Sequence, residues 1–291
     1  MMLDFSLSFV EKRTLFERDF WIKRDDVIHP YCNGNKARKF AALLDESRYP
    51  VWLSCGGNQS NAMSALAYLA HFKGVRFKYV MPQMSSLAYR QEMDNLAYAL
   101  KWGMEVYVLP TGTSVGDLES YALSLVDSQT LFIPQGGSVE YALSGMSALA
   151  LELKQSIGGN PLLFYASGSG VGVIALQKAL DSIFPQASLV AICCAGSKNE
   201  LRQRAYSHNV GHLQILQSPF TFAKPKREIW EMREYLSQND VRCDLIYDSP
   251  AFCVIKAHLE QFSQRQLVFI HSGGLVGDIS QVKRYESLLH R

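Results

Sequence analysis

Three times in this chain a short apolar run is closed at once by a glycine-rich turn. Val51-Trp52-Leu53 leads into Ser54-Cys55-Gly56-Gly57-Asn58-Gln59-Ser60-Asn61. Leu162-Leu163-Phe164-Tyr165 leads into Ser167-Gly168-Ser169-Gly170-Val171-Gly172, and Leu267-Val268-Phe269-Ile270 into His271-Ser272-Gly273-Gly274. Strand, glycine turn and helix form the unit of an open α/β sheet, which binds ligands at the carboxyl ends of its strands. Several such turns in one chain predict one large polar cofactor held by backbone groups.

The same alternation runs through most of the sequence. Strands are expected over 51–54, 77–81, 105–109, 131–134, 162–165, 189–194, 213–216, 244–247 and 268–271. Helices are expected over 36–44, 61–72, 87–102, 118–125, 139–157, 171–182, 199–208, 227–237 and 250–262. Alternation of this kind implies right-handed crossovers and parallel strands. At 291 residues the chain is long enough for a sizeable core in two closely packed lobes.

A fourth turn carries the chemistry. Asn33-Gly34-Asn35-Lys36-Ala37-Arg38-Lys39 follows Phe20-Trp21-Ile22-Lys23-Arg24-Asp25-Asp26 and opens a helical segment, Phe40-Ala41-Ala42-Leu43-Leu44. A lysine at a helix start near the interior can lose its proton and attack an aldehyde. Taken alone, a lysine near a helix start is more often a solvated surface residue. The segment Ser167–Gly172 precedes the apolar helical run Val173-Ile174-Ala175-Leu176. Its N–H groups and hydroxyls suit a phosphate at a helix N-terminus, the alternative being a tight turn that needs glycine. A dinucleotide fingerprint fails, because Val173 takes the place of its last glycine and no acid ends the strand Val190-Ala191-Ile192-Cys193-Cys194. A nucleotide P-loop fails as well, since no Gly-Lys-Ser/Thr follows.

Composition narrows the class. Hydrophobic residues make up 48% and charged residues 19%, as in a soluble globular protein. The net charge of +2 gives no electrostatic case for nucleic acid or an anionic membrane. No apolar run approaches the roughly 20 residues that span a bilayer. The segment Met1–Arg13 lacks a signal peptide's layout. The cysteines Cys32, Cys55, Cys193, Cys194, Cys243 and Cys253 show neither a C-x-x-C pair nor zinc spacing. They read as reduced, mostly buried fillers in a cytoplasmic protein, with no metal.

These motifs in this order resemble the D-cysteine desulfhydrase and 1-aminocyclopropane-1-carboxylate deaminase family. Pro134-Gln135-Gly136-Gly137-Ser138, Phe222-Ala223-Lys224-Pro225, Tyr247-Asp248 and His271-Ser272-Gly273-Gly274 extend the resemblance, which spans about Phe20 to Gly274. It implies a two-lobed α/β fold of type II pyridoxal-5′-phosphate enzymes, with open, mostly parallel sheets. The large lobe would hold 1–44 and 147–291, and the small lobe 45–146.

By that resemblance Lys36 carries pyridoxal phosphate covalently. Ser60 faces the substrate as nucleophile or carboxylate binder, and Asn61 bonds the ring hydroxyl. Ser167, Gly168, Ser169, Gly170, Val171 and Gly172 hold the phosphate. Tyr247 approaches cofactor and substrate, and Asp248 or Ser272 sits near the pyridine nitrogen or the substrate. The implied activity is elimination and deamination of a small amino acid, D-cysteine-like first, in a homodimer. Ser272 favours this branch, whereas Asp248 favours the cyclopropane-opening one. The sequence departs from the family at Ala62-Met63-Ser64, at Phe222 and at Ser249-Pro250, all on the expected substrate side. A cofactor-binding protein with little catalysis therefore stands as a further alternative. His271 reads either as an acid-base group or as a histidine holding its turn. Cys55 reads as a filler, and Lys224, Lys226 and Arg227 as a solvated helix start.

Overall fold

A computed structural model describes residues 2–84 and 94–289, without the side chains of 288 and 289. Two sheets organise it. The larger contains β1 (Val10–Leu15), β2 (Arg18–Lys23), β7 (Leu162–Ser167), β8 (Ser188–Cys193), β9 (Gln214–Gln217) and β10 (Leu267–Ile270), in the order β1-β2-β10-β7-β8-β9. The smaller contains β3 (Val51–Cys55), β4 (Arg76–Pro82), β5 (Glu105–Leu109) and β6 (Thr130–Ile133), in the order β5-β4-β3-β6. Every pairing is parallel except β1 with β2.

The central strands show why. All residues of β3 and β7 are buried, as expected for strands covered by helices on both faces. On one face of the large sheet, α5 (Val139–Ser156) and α6 (Val171–Ile183) bury Met146, Leu149, Ile174 and Leu176 against Leu163 and Tyr165. On the other, α8 (Arg227–Gln238) and α9 (Asp248–Ala257) bring Leu236, Phe252 and Ile255 against Phe164 and Phe269. The small sheet is covered by α1 (Gly34–Phe40), α2 (Asn61–Lys73) and α3 (Asn95–Lys101) on one face and by α4 (Val115–Ser124) on the other.

The expected elements form with three differences. Residues 244–247 make a turn rather than a strand. Asp244 Oδ1 accepts the N–H groups of Tyr247 (2.8 Å) and Asp248 (2.9 Å), so the segment is spent on opening α9. The β1–β2 hairpin is antiparallel, and Phe16 and Glu17 at its tip both have positive φ (53° and 59°). No Asn-Gly signal announces that turn. Tertiary contact holds it: Phe16 stacks on Tyr235 at 4.9 Å and donates its N–H to the Tyr235 hydroxyl at 2.7 Å. Finally, α10 (Leu275–Leu289) follows the last glycine turn and was not anticipated. Of the helix expected over 87–102, residues 95–101 form α3, and 87–93 lie outside the described residues. Among the described residues no helix is long and apolar enough to cross a membrane.

Candidate active site

A cavity of about 1100 Å³ opens where the strand ends of the two sheets meet. Lys36, Ser60 and Asn61, the loop Ser167–Gly172, and Tyr247 all line it. Asp248 and Ser272 do not.

Lys36 lies in the first turn of α1. The Asn35 N–H reaches across to the Ser272 carbonyl (3.1 Å), which ties this turn to the end of β10. The Lys36 ammonium contacts Asn35 Oδ1 and stands 5.7 Å from the centre of the Tyr247 ring. No carboxylate among the described residues pairs with it. Burial pushes its pKa down to about 8, with Asp244 and Asp248 pulling weakly back. A usable fraction of the amine is therefore neutral near physiological pH.

The Ser167–Gly172 loop runs from β7 into α6. The helices α2, α3, α4, α5 and α7 (Lys198–Ser207) are each capped by a Ser or Asp side chain. Helix α6 is not: its N-cap is Gly170, with φ of 87° and no side chain to offer. The Ser167 hydroxyl is buried without a partner. An uncapped helix start beside a free hydroxyl is suited to an anion. Lys39, one turn after Lys36, lines the same cavity. Its Nζ donates to the Gly136 carbonyl at 2.6 Å, and a methyl group on Gly136 would lie 2.4 Å from Ser169 Oγ, which puts this second lysine beside the loop. Burial and then the charge of Lys36 hold the Lys39 pKa well below the ordinary value.

Ser60 caps α2, its Oγ accepting the Met63 N–H at 3.3 Å. Asn61 Oδ1 accepts from Asn95 Nδ2 at 2.6 Å, which fixes the Asn61 amide toward the cavity. Tyr247 lies over Gly168, where a methyl group would approach its ring to 2.9 Å. Phe222 leans on Tyr247 at 5.7 Å and is 45% exposed at the cavity mouth.

Beneath the cavity floor lies a separate polar cluster. Asp248 Oδ1 accepts the Ser272 hydroxyl (2.5 Å), while Oδ2 accepts the Ser272 N–H (3.1 Å) and pairs with His271 Nδ1 (2.9 Å). His271 Nε2 bonds the Arg242 carbonyl at 2.7 Å. Burial opposes a charged ring, yet Asp248 and Asp26 outweigh it and hold the His271 pKa well above its ordinary value. This histidine holds its turn. Asp248, His271 and Cys243 stand close enough together to suggest a metal, but the His271 ring and the Asp248 carboxylate are already bonded to each other, and the other ring nitrogen to the Arg242 carbonyl.

Of the departures on the expected substrate side, Met63 is fully buried and Ser249-Pro250 form the buried first turn of α9. Neither touches the cavity; Ala62 and Phe222 do. Cys55 is buried with its thiol pushed up to about 11 by burial, so it is a filler. Lys224, Lys226 and Arg227 are exposed.

Sequence reasoning missed Lys39, Asn95 and Asp244 among the cavity residues. Lys39 was findable, because three residues after Lys36 places it on the same helix face. Asp244 was hidden by reading 244–247 as a strand.

Comparison with known proteins bears on the family and the fold. The chain matches the family model described as pyridoxal-phosphate dependent enzyme over residues 8–236. It is 21% identical over 305 residues to the bifunctional D-cysteine desulfhydrase/1-aminocyclopropane-1-carboxylate deaminase, mitochondrial, of Arabidopsis thaliana, covering 93% of this chain and 76% of that one. Among solved structures, an ACC deaminase homologue superposes with a TM-score of 0.84 at 18% identity, over 97% of this chain and 93% of the other. A fungal L-serine ammonia-lyase from Rhizomucor miehei superposes with a TM-score of 0.72 at 14% identity, over 96% and 97%. These likenesses establish the fold as that of type II pyridoxal-phosphate enzymes.

The donor set fits the cofactor. An aldehyde needs a neutral amine, and a phosphate needs uncapped N–H groups with a free hydroxyl; one cavity holds both. With the family model matched across most of its length, the chain belongs to the family of pyridoxal-phosphate dependent enzymes.

Proposed function

We propose that the protein eliminates and deaminates a small amino acid, with D-cysteine-like substrates first. One observation carries this reading: the Lys36 amine, paired with no carboxylate among the described residues, faces the same cavity as the uncapped start of α6. Lys36 is proposed to carry pyridoxal phosphate. The N–H groups at the start of α6, the Ser167 hydroxyl and Lys39 would hold the phosphate, and Asn61 would bond the ring. The bound cofactor supplies an electron sink for bond breaking at an amino-acid α-carbon.

The chain's own groups would do the rest. With a pKa near 8, Lys36 can take a proton from a carbon acid and return it at physiological pH. The Tyr247 phenol, held 5.7 Å from Lys36 by its ring centre, is placed to donate a proton to a departing group. Burial raises its pKa, which keeps it protonated and ready to give. Ser60, at the start of α2, would hold the substrate carboxylate. Phe222 shields the mouth without a hydroxyl of its own. We take residues 45–146, which contain the smaller sheet, as a small lobe against the remainder, and the working unit as a homodimer.

The D-cysteine and cyclopropane readings had rested on Ser272 and Asp248 respectively. Those two residues bond each other below the floor, so neither selects between the substrates from inside the cavity. Incubating the purified protein with pyridoxal phosphate should give a visible absorption band. A panel of D-cysteine, D-serine derivatives and 1-aminocyclopropane-1-carboxylate should then release a 2-oxo acid from at least one member. Cofactor uptake with no turnover across the panel would favour a binding protein instead.

A further inference from the structure

Among the described residues, Asp244 is the one carboxyl group at this cavity with a buried oxygen left unbonded. Its side chain is 1% exposed. Oδ1 is committed to the N–H groups of Tyr247 and Asp248, while Oδ2 has no partner. That oxygen lies against Gly274, where a methyl group would come within 2.7 Å of Oδ2 and 3.0 Å of Asn61 Nδ2. Both Gly274 and Asn61 line the cavity. A buried, unsatisfied carboxyl oxygen is costly unless something completes it. By contrast, both oxygens of Asp248 are used by Ser272 and His271.

We propose that Asp244, not Asp248, is the carboxyl group that bonds the ring of the bound cofactor, through the Oδ2 it leaves free. The inference rests on the proposed cofactor site. It makes Asp244 a neighbour of Asn61 on one edge of the occupant, opposite in role to the phosphate loop. The absent side chain of Gly274 gives the ring room to reach it.

The protonation of Asp244 suits such a contact. Burial first, then the charges of Asp248 on α9 and Asp278 on α10, raise its pKa to about 7. Lys36 on α1 faces it as a cation, and the buried Cys194, Cys243 and Tyr247 surround it. Asp244 can therefore donate or accept near neutrality, whereas both Asp248 oxygens are taken up by Ser272 and His271.

The test titrates pyridoxal phosphate into the apoprotein between about pH 6 and pH 8. Asp244→Asn keeps Oδ1 and hence the turn that opens α9. The ratio of its dissociation constant to that of wild type should change by about tenfold across this range. A flat ratio of one for Asp244→Asn would overturn the proposal. Difference infrared spectroscopy of wild-type protein gives a second readout, independent of any variant's folding. A protonated-carboxyl band should shift when pyridoxal phosphate binds at pH 6, and an unchanged band would contradict the assignment. Wild-type protein that takes up no cofactor would overturn the proposed function along with this inference. Uptake with no Asp244 effect would overturn this inference alone.

Discussion

Arg38 and Lys36 stand two residues apart on the same seven-residue helix, yet they live in opposite electrostatic worlds. Arg38 is fully buried and fully answered. Its guanidinium donates to Asp25 at 3.0 and 2.8 Å and to Glu152 at 2.7 Å through each of two nitrogens. Lys23 joins at 2.6 Å from Glu152, and the Ser8 hydroxyl bonds Asp25 at 2.6 Å. On the other face, Lys36 and Lys39 point at the cavity with no carboxylate paired to either among the described residues. One side of α1 is an anchor whose charges cancel within the protein. The other holds two buried amines with no paired carboxylate among the described residues, whose complement must come from outside. The difference separates structure from function: satisfied charges position the helix, and unsatisfied ones await a ligand.

The largest test strikes the anchor. Arg38→Met would leave Asp25 buried without its cation, a loss of about 3–5 kcal/mol. Urea denaturation should show it as a clear fall in midpoint. A variant as stable as wild type would mean that the network does not hold α1.

The next strikes the cavity side without touching a charge. Gly170→Val forces a side chain onto a φ of 87° and within 2.7 Å of Leu201 Cδ1. It should pull the start of α6 away from the phosphate. Losing two charge-assisted hydrogen bonds, each about 1.5–3 kcal/mol, weakens pyridoxal-phosphate affinity by a factor of a hundred or more. Equilibrium titration on folded protein checks this; unchanged affinity would place the phosphate elsewhere.

A third test reverses the usual sign of a core substitution. Lys36 is depressed to about pKa 8, so between that value and the ordinary 10.5 the unfolded chain binds more protons than the folded one. Stability of the apoprotein thus rises with pH through this window, and the penalty is complete below pH 8. Lys36→Met should stabilise the apoprotein at pH 7 by roughly 1–3 kcal/mol, and the gain should shrink toward pH 10.5. A destabilised variant at pH 7 would show that Lys36 is satisfied after all.

Much of this was legible in the sequence, and the limits have physical causes. The alternation of apolar runs and glycine turns was enough to place most of the parallel strands, because β3 and β7 are buried on both faces and so read as apolar runs; β2, charged at both ends and parallel to β10, was not among them. Lys36 and the Ser167–Gly172 loop were named from local motifs, Ser60, Asn61 and Tyr247 from the family resemblance, and all of them line one cavity. What local patterns could not show was which way a carboxylate turns. Asp248 sits in the recognisable Tyr-Asp pair but faces down into His271 and Ser272. Asp244, in a stretch that reads as a strand, faces the cavity. The Phe16-Glu17 hairpin escaped for a similar reason: its turn is held by Tyr235, 219 residues away, and not by its own residues.

The central claim is that α1 presents Lys36, rather than its neighbour Lys39, as the amine that takes the cofactor. Borohydride reduction of the protein loaded with pyridoxal phosphate, followed by peptide mapping, tests it directly. The account predicts the label on Lys36 alone, with trapping that grows as pH rises toward 8 and levels off above it. A label on Lys39, or none on either lysine, would contradict it.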